Sequence, residues 1–268
     1  MILRTIAFNT FGTFLRDKVL IVVAILFTCG LLLMLTPLLG ARMMETRGNI
    51  AQAQSMVLEV VSVIVFFTSG FGSLLAAWTA ADSVATEMKS GTILAVMARP
   101  VKRWQFLLGK FLGVMLLMCS YVAMMLVLSY LLALIGGQKI HSAAWAMVLY
   151  PLVRYSIYAA LAMALVTLMH PMVAWGITAA VAVVVMIVEP TGQPVKNVAW
   201  RWIKNVLYTV LPSSGLLSED RFLTIKDATI KRTGWLDHVT TLSYGLDYAL
   251  VLLLIAMWSF HSKSLRRD

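Results

Sequence analysis

From Leu107 to Ile135 the chain reads LLGKFLGVMLLMCSYVAMMLVLSYLLALI, an apolar run interrupted by one charge, Lys110. A hydrocarbon core about 30 Å thick is crossed by roughly 20 apolar residues in a helix, because an α-helix satisfies its own backbone in lipid. This stretch is long enough to span, and charges bound it as they bound other apolar runs of the chain. Five more fit: approximately Val19 to Leu39, Met56 to Ala80, Trp145 to Met169, Met172 to Val188 and Leu246 to Phe260. The composition agrees: 60% of the 268 residues are hydrophobic, 13% are charged, and the mean hydropathy is +0.87. The expected fold class is therefore all-α, a polytopic membrane protein with six transmembrane helices. The first run follows Arg4, Arg16 and Lys18 as a signal peptide would, but its core is too long for a signal sequence and reads as a span.

Twenty-two Lys and Arg against twelve Asp and Glu leave a formal charge of +10. In a soluble chain that would point to nucleic acid, but here the cations flank apolar spans and no nucleic-acid partner is expected. Arg4, Arg16, Lys18, Lys89, Arg99, Lys102, Arg103, Lys110, Lys263, Arg266 and Arg267 fall on one side, against Arg42, Arg47 and Lys139 in the short loops of the other. The positive-inside rule then places both termini in the cytoplasm and the protein in the cell (inner) membrane. Seven further cations follow the fifth span, in a segment long enough to translocate regardless of charge.

Two amphipathic segments read as helices on the membrane surface. Ile2, Leu3, Ile6, Ala7, Phe11, Phe14 and Leu15 recur at helical spacing opposite Arg4, Asn9, Thr13 and Arg16. Val195, Val198, Ala199, Trp202, Ile203, Val206, Leu207 and Val210 do the same opposite Lys196, Arg201, Lys204 and Asn205. Residues 1–18 are thus a surface helix, and 19–268 the membrane domain, with an inner loop at 81–106 and an outer helix and loop at 190–244. Pro190, Gly192 and Pro194 precede the outer helix, and Leu211-Pro212 follows it.

The inner loop, DSVATEMKSGTILAVMARPVKRWQFLLGK from Asp82 to Lys110, reads as a helix-turn-helix in which Ser83 caps a helix, Gly91 breaks it and Pro100 forces Arg99 to extend. Its residue order resembles the cytoplasmic loop of type-2 ATP-binding-cassette (ABC-2) transporter permeases, at Glu87, Gly91, Thr92, Pro100, Arg103, Gly109 and Lys110. The amphipathic start resembles that family's elbow helix, Leu211-Pro212 its Leu-Pro before the last span, and Tyr244 to Arg267 its final helix with a basic tail. The stretch from Ser218 to Asp237 matches nothing in the family pattern.

The resemblance implies the permease subunit of an ABC exporter that pairs with a second permease, an identical copy or a paralogue, and contacts membrane lipid. Its loop, the coupling helix, would sit in a groove of a separate ABC ATPase, with Glu87, Gly91, Thr92, Pro100, Arg103 and Lys110 forming the coupling element. ATP and Mg are expected in that partner. No enzyme activity or cofactor is expected here, since Gly109-Lys110 lacks the earlier Gly and the following Ser or Thr of a phosphate loop. Open alternatives are a mechanotransmitting subunit acting on a periplasmic or surface partner, a secondary carrier, or a membrane scaffold.

Charges inside spans are costly and mark function or a lock. Glu59, Arg154, Glu189 and Asp247 are such residues, each placed in the outer half by the six-span topology. Either Arg154 pairs with one or two of the carboxylates and ties spans together, or the set lines an outer vestibule. No metal site is expected: Cys29 and Cys119 lie in separate apolar runs, His141, His170, His238 and His261 are scattered, and the methionines form no chelating array. Gly109-x-x-x-Gly113 and the small residues from Ser69 to Ser73 read as places of close helix approach.

Overall fold

A computed structural model describes the backbone of residues 2–17, 25, 28–30, 32–33, 35–90, 102–135, 146–188 and 235–262. Every element among them is an α-helix: α1 (Ile2–Leu15), α2 (Leu35–Thr46), α3 (Ile50–Ser90), α4 (Arg103–Ile135), α5 (Ala146–Val166), α6 (Pro171–Val188) and α7 (Trp235–Ser262). Three of them contain stretches long and apolar enough to cross a bilayer, Arg103–Leu128, Val148–Val166 and His238–Phe260, and α6 adds a shorter apolar stretch, Pro171–Val185. Most of the expected first span, the outer helix at 195–210 and Leu211-Pro212 lie outside the described residues.

Helix ends follow local chemistry. α2 runs past Leu39, the expected end of the first span, to Thr46 and takes Arg42 into helix. It stops where Gly48 adopts φ +85° and the Asn49 amide donates to the Met44 carbonyl at 3.1 Å, the wrapped closure that a left-handed glycine permits. The turn is therefore Arg47–Asn49, and α3 begins at Ile50 rather than Met56. Between α5 and α6 the break falls at Thr167–His170 as the sequence suggests. Pro171 supplies a first helical residue that needs no amide partner, and the Ala174 amide donates to the His170 carbonyl at 3.0 Å.

The inner loop differs from the sequence reading. Ser83 caps nothing: α3 is one helix of 41 residues through Ser90, and the Ser83 hydroxyl donates back to the Ala80 carbonyl at 2.9 Å. Apolar and polar halves share a helix because neither contains Gly or Pro between Ser73 and Ser90, and Ala76, Ala77, Ala80, Ala81 and Ala85 are strong helix formers. At 1.5 Å per residue α3 is about 60 Å long, roughly twice a bilayer core. On the other side α4 is already helical at Arg103.

The core forms where small residues let backbones approach. Ala76, Ala77 and Ala80 of α3, Ala159 and Ala162 of α5 and Ala174 of α6 are all buried in one cluster. Close approach replaces the hydrophobic drive that lipid cannot supply between helices. Tyr121 of α4 and Tyr155 of α5 both donate to the Thr68 carbonyl of α3, at 3.0 and 3.3 Å, so one backbone oxygen joins three helices. α5 and α7 run in the same direction: Tyr150 shares a hydrogen bond of 2.8 Å with His238 Nδ1, and Thr167 Oγ1 donates to Ser259 Oγ at 3.0 Å.

Candidate functional site at the base of the α3–α4 hairpin

Glu87 lies in the last turn of α3, where the helix dipole disfavours a carboxylate. Lys110 lies inside the apolar run of α4, where an ammonium is expensive. The two form an ion pair, with side-chain exposures of 22% for Glu87 and 8% for Lys110. Each offsets the other's cost. The Lys110 ammonium is also 5.7 Å from the centroid of the Phe106 ring, close enough for a cation–π contribution. The pair joins α3 to α4 close to where residues 91–101 connect them in sequence; the expected coupling residues Gly91, Thr92 and Pro100 fall there and lie outside the described residues.

Arg103 Nη1 donates to the Phe260 carbonyl at 3.4 Å. Phe260 is in the last turn of α7, where carbonyls lack helical donors and cations are favoured. Phe106 stacks on Phe260, centroids 6.1 Å apart and planes 20° apart. With the Thr167–Ser259 bond, the end of the bundle ties α3 to α4, α4 to α7 and α7 to α5. The sequence reading missed Phe106, Thr167, Ser259 and Phe260. Their pairing is tertiary; only Lys110, a lone cation in an apolar run, advertised a buried carboxylate.

α1 packs on the same stretch of α4. A Cβ built on Gly109 would lie 2.8 Å from Ile6 Cγ2, and one on Gly113 would lie 2.6 Å from Thr10 Cβ and 2.8 Å from the Ala7 carbonyl oxygen. Only glycine allows this approach. Ala7, Thr10 and Phe14 are buried, and Thr10 settles its hydroxyl by donating to the Ile6 carbonyl at 2.9 Å. The apolar face expected to meet lipid is thus spent largely on α4. Leu15, on that face, stays exposed, as does Phe8, over whose ring the Arg4 guanidinium sits at 5.5 Å.

Of the charges in the spans, the side chains of Arg154 and Asp247 are described. Arg154 is 8% exposed and flanked one turn away on either side by the buried Tyr150 and Tyr158. Asp247 is exposed. It was expected at the outer edge of a span beginning at Leu246, but α7 begins at Trp235, so the carboxylate lies about 18 Å along the helix. Glu59 is within α3, and Glu189 lies outside the described residues. Among the described residues there is no group of three or more His, Cys, Asp or Glu that could hold a metal ion.

Packed apolar helices with costly charges paired at one end define a helical, multi-pass membrane protein. The chain matches the ABC-2 family transporter protein family over residues 4–265. It belongs to that family, and is accordingly a membrane permease subunit of an ABC transporter. No curated protein matches it.

Proposed function

We propose that this chain is the permease half of an ATP-driven exporter, with six spans, both termini in the cytoplasm of the cell (inner) membrane, and α1 as its elbow helix. A separate ABC ATPase, holding ATP and Mg, receives the α3–α4 hairpin, and a second permease, a copy or a paralogue, completes the pathway. The observation that carries this reading is the Glu87–Lys110 pair, which fastens two helices just behind the hairpin tip. A lever needs such a stiff base: force applied at residues 91–101 then moves α3 and α4 together instead of bending the loop.

The basic character of the same end supports its cytoplasmic side, since Lys89, Lys102, Arg103 and Lys110 cluster in sequence around the hairpin. Motion passes from the hairpin to α7 through Arg103 and Phe106 on Phe260, and from α7 to α5 through Ser259 and Thr167. Closure of two ATPase subunits would then tilt packed helices as rigid bodies between two arrangements. The test is purification of the chain from its native membrane. An ATPase subunit should accompany wild type, and ATP with vanadate should change the tryptic cleavage pattern of the permease; absence of any ATPase from an intact, monodisperse preparation would refute the reading.

A further inference from the structure

We propose that α1 and α4 move as one rigid body, locked through Gly109 and Gly113, and that these glycines are positioning residues for the Glu87–Lys110 pair. This rests on the permease reading above. Two contacts carry it: Gly109 sits against Leu3 and Ile6, and Gly113 against Ala7 and Thr10. The partners advance by four residues on α1 as the glycines advance by four on α4. The helices therefore run side by side in the same direction over at least a full turn, whereas a helix lying flat across α4 would touch it at one level.

The seat has no slack. Side-chain atoms of Ile6 and Thr10 and the Ala7 backbone occupy the space a single methyl group would need at either glycine, so α1 cannot turn or slide on α4 without lifting away. Lys110 lies between the two glycines, and the rotation of α4 about its axis decides where its ammonium points. Holding α1 on Gly109 and Gly113 fixes that rotation and keeps Lys110 on Glu87. An interfacial helix held mainly by lipid could not do this, because its apolar face would be turned to the acyl chains.

The experiment uses the full chain with Cys29→Ser and Cys119→Ser, carrying Phe14→Cys and Leu117→Cys, buried residues one turn further along α1 and α4 in the same register, in membranes with the ATPase that co-purifies. Both substitutions shorten side chains in the buried cluster, so neither puts an atom where a glycine admits α1, and a disulfide forms only where the Cβ atoms come within about 3.8 Å. Copper-phenanthroline oxidation should cross-link the pair equally with and without ATP–vanadate. The cross-linked protein should keep its ATP-dependent change in tryptic cleavage. A yield that falls severalfold on trapping, or a lock that abolishes the change until reductant is added, would overturn the proposal. Failure to cross-link without nucleotide would remove the seat itself.

A second variant, Gly113→Leu, should unseat α1 and abolish that ATP-dependent change, because α4 is then free to turn and carry Lys110 off Glu87. An unaltered response would count against the glycines as positioning residues; if this variant does not reach the membrane, the cross-link decides. Absence of an ATPase from wild type would instead sink the permease reading and the rigid-body motion with it, while the nucleotide-free cross-link would still report on the seat.

Discussion

Tyr155 lays its ring directly on Gly72 and carries its hydroxyl to the Thr68 carbonyl one turn back along α3. The same carbonyl accepts from Tyr121, whose ring meets Tyr155 edge to face at 6.1 Å. The contact exists because residue 72 has no side chain. A Cβ there would overlap the tyrosine ring, and the ring cannot yield without giving up the hydroxyl's partner.

Gly72→Ala should therefore destabilise the bundle by about 1–3 kcal/mol, the usual cost of overpacking. Tyr155→Phe should cost about 0.6–1.7 kcal/mol, the range for one interhelical hydrogen bond in a membrane. Thermal unfolding in detergent, followed by intrinsic fluorescence, checks both. The alanine variant should be the less stable of the two, because it disturbs packing as well as the bond.

The Glu87–Lys110 pair predicts a non-additive series. Glu87→Gln or Lys110→Met alone leaves one buried charge without its counter-ion, a loss near the lower end of about 3–5 kcal/mol because Glu87 is partly exposed. The double variant leaves neither and should recover much of that loss. A denaturation series in detergent would show it; additive losses would mean that the two charges are stabilised independently.

Arg103 should act on α7. Arg103→Met removes the donor to the Phe260 carbonyl and should loosen the end of α7, raising hydrogen exchange at residues 258–262 severalfold while the amides of α3 near Glu87 stay protected. Native-state exchange read by mass spectrometry separates the two regions.

Arg154→Met tests the two readings of the intramembrane charges. A lock between helices predicts loss of assembled complex on size exclusion. A functional lining predicts normal assembly with loss of the ATP-dependent cleavage change. Burial of Arg154 between Tyr150 and Tyr158 favours the lock, and the expected result is reduced assembly.

Much of the helical pattern was legible because lipid imposes a simple rule of length and polarity, and the spans around Leu107–Ile135, Trp145–Met169 and Met172–Val188 coincide closely with α4, α5 and α6. The ends were less legible. A serine such as Ser83 looks like a cap in sequence, yet nothing before Ser90 breaks α3, so the helix continues through it. The same ambiguity hid the start of α7, where Trp235 to Gly245 alternates polar and apolar residues that suit a loop or an amphipathic turn. In α1 the spacing showed an apolar face but not what covers it. Gly109-x-x-x-Gly113 gave the covering surface, two glycines one turn apart, while its partner helix emerged only in three dimensions. Arg103 and Phe260 are far apart in sequence, and no periodicity links them.

The most direct measurement of the central claim exchanges the charges at the base of the hairpin. Wild type, Glu87→Lys, Lys110→Glu and the double exchange are each purified with the accompanying ATPase, and the tryptic pattern of the permease is compared with and without ATP–vanadate. The account predicts that each single exchange abolishes the nucleotide-dependent change while the ATPase still hydrolyses ATP, and that the double exchange restores it. Single exchanges that respond to nucleotide as wild type does would contradict it.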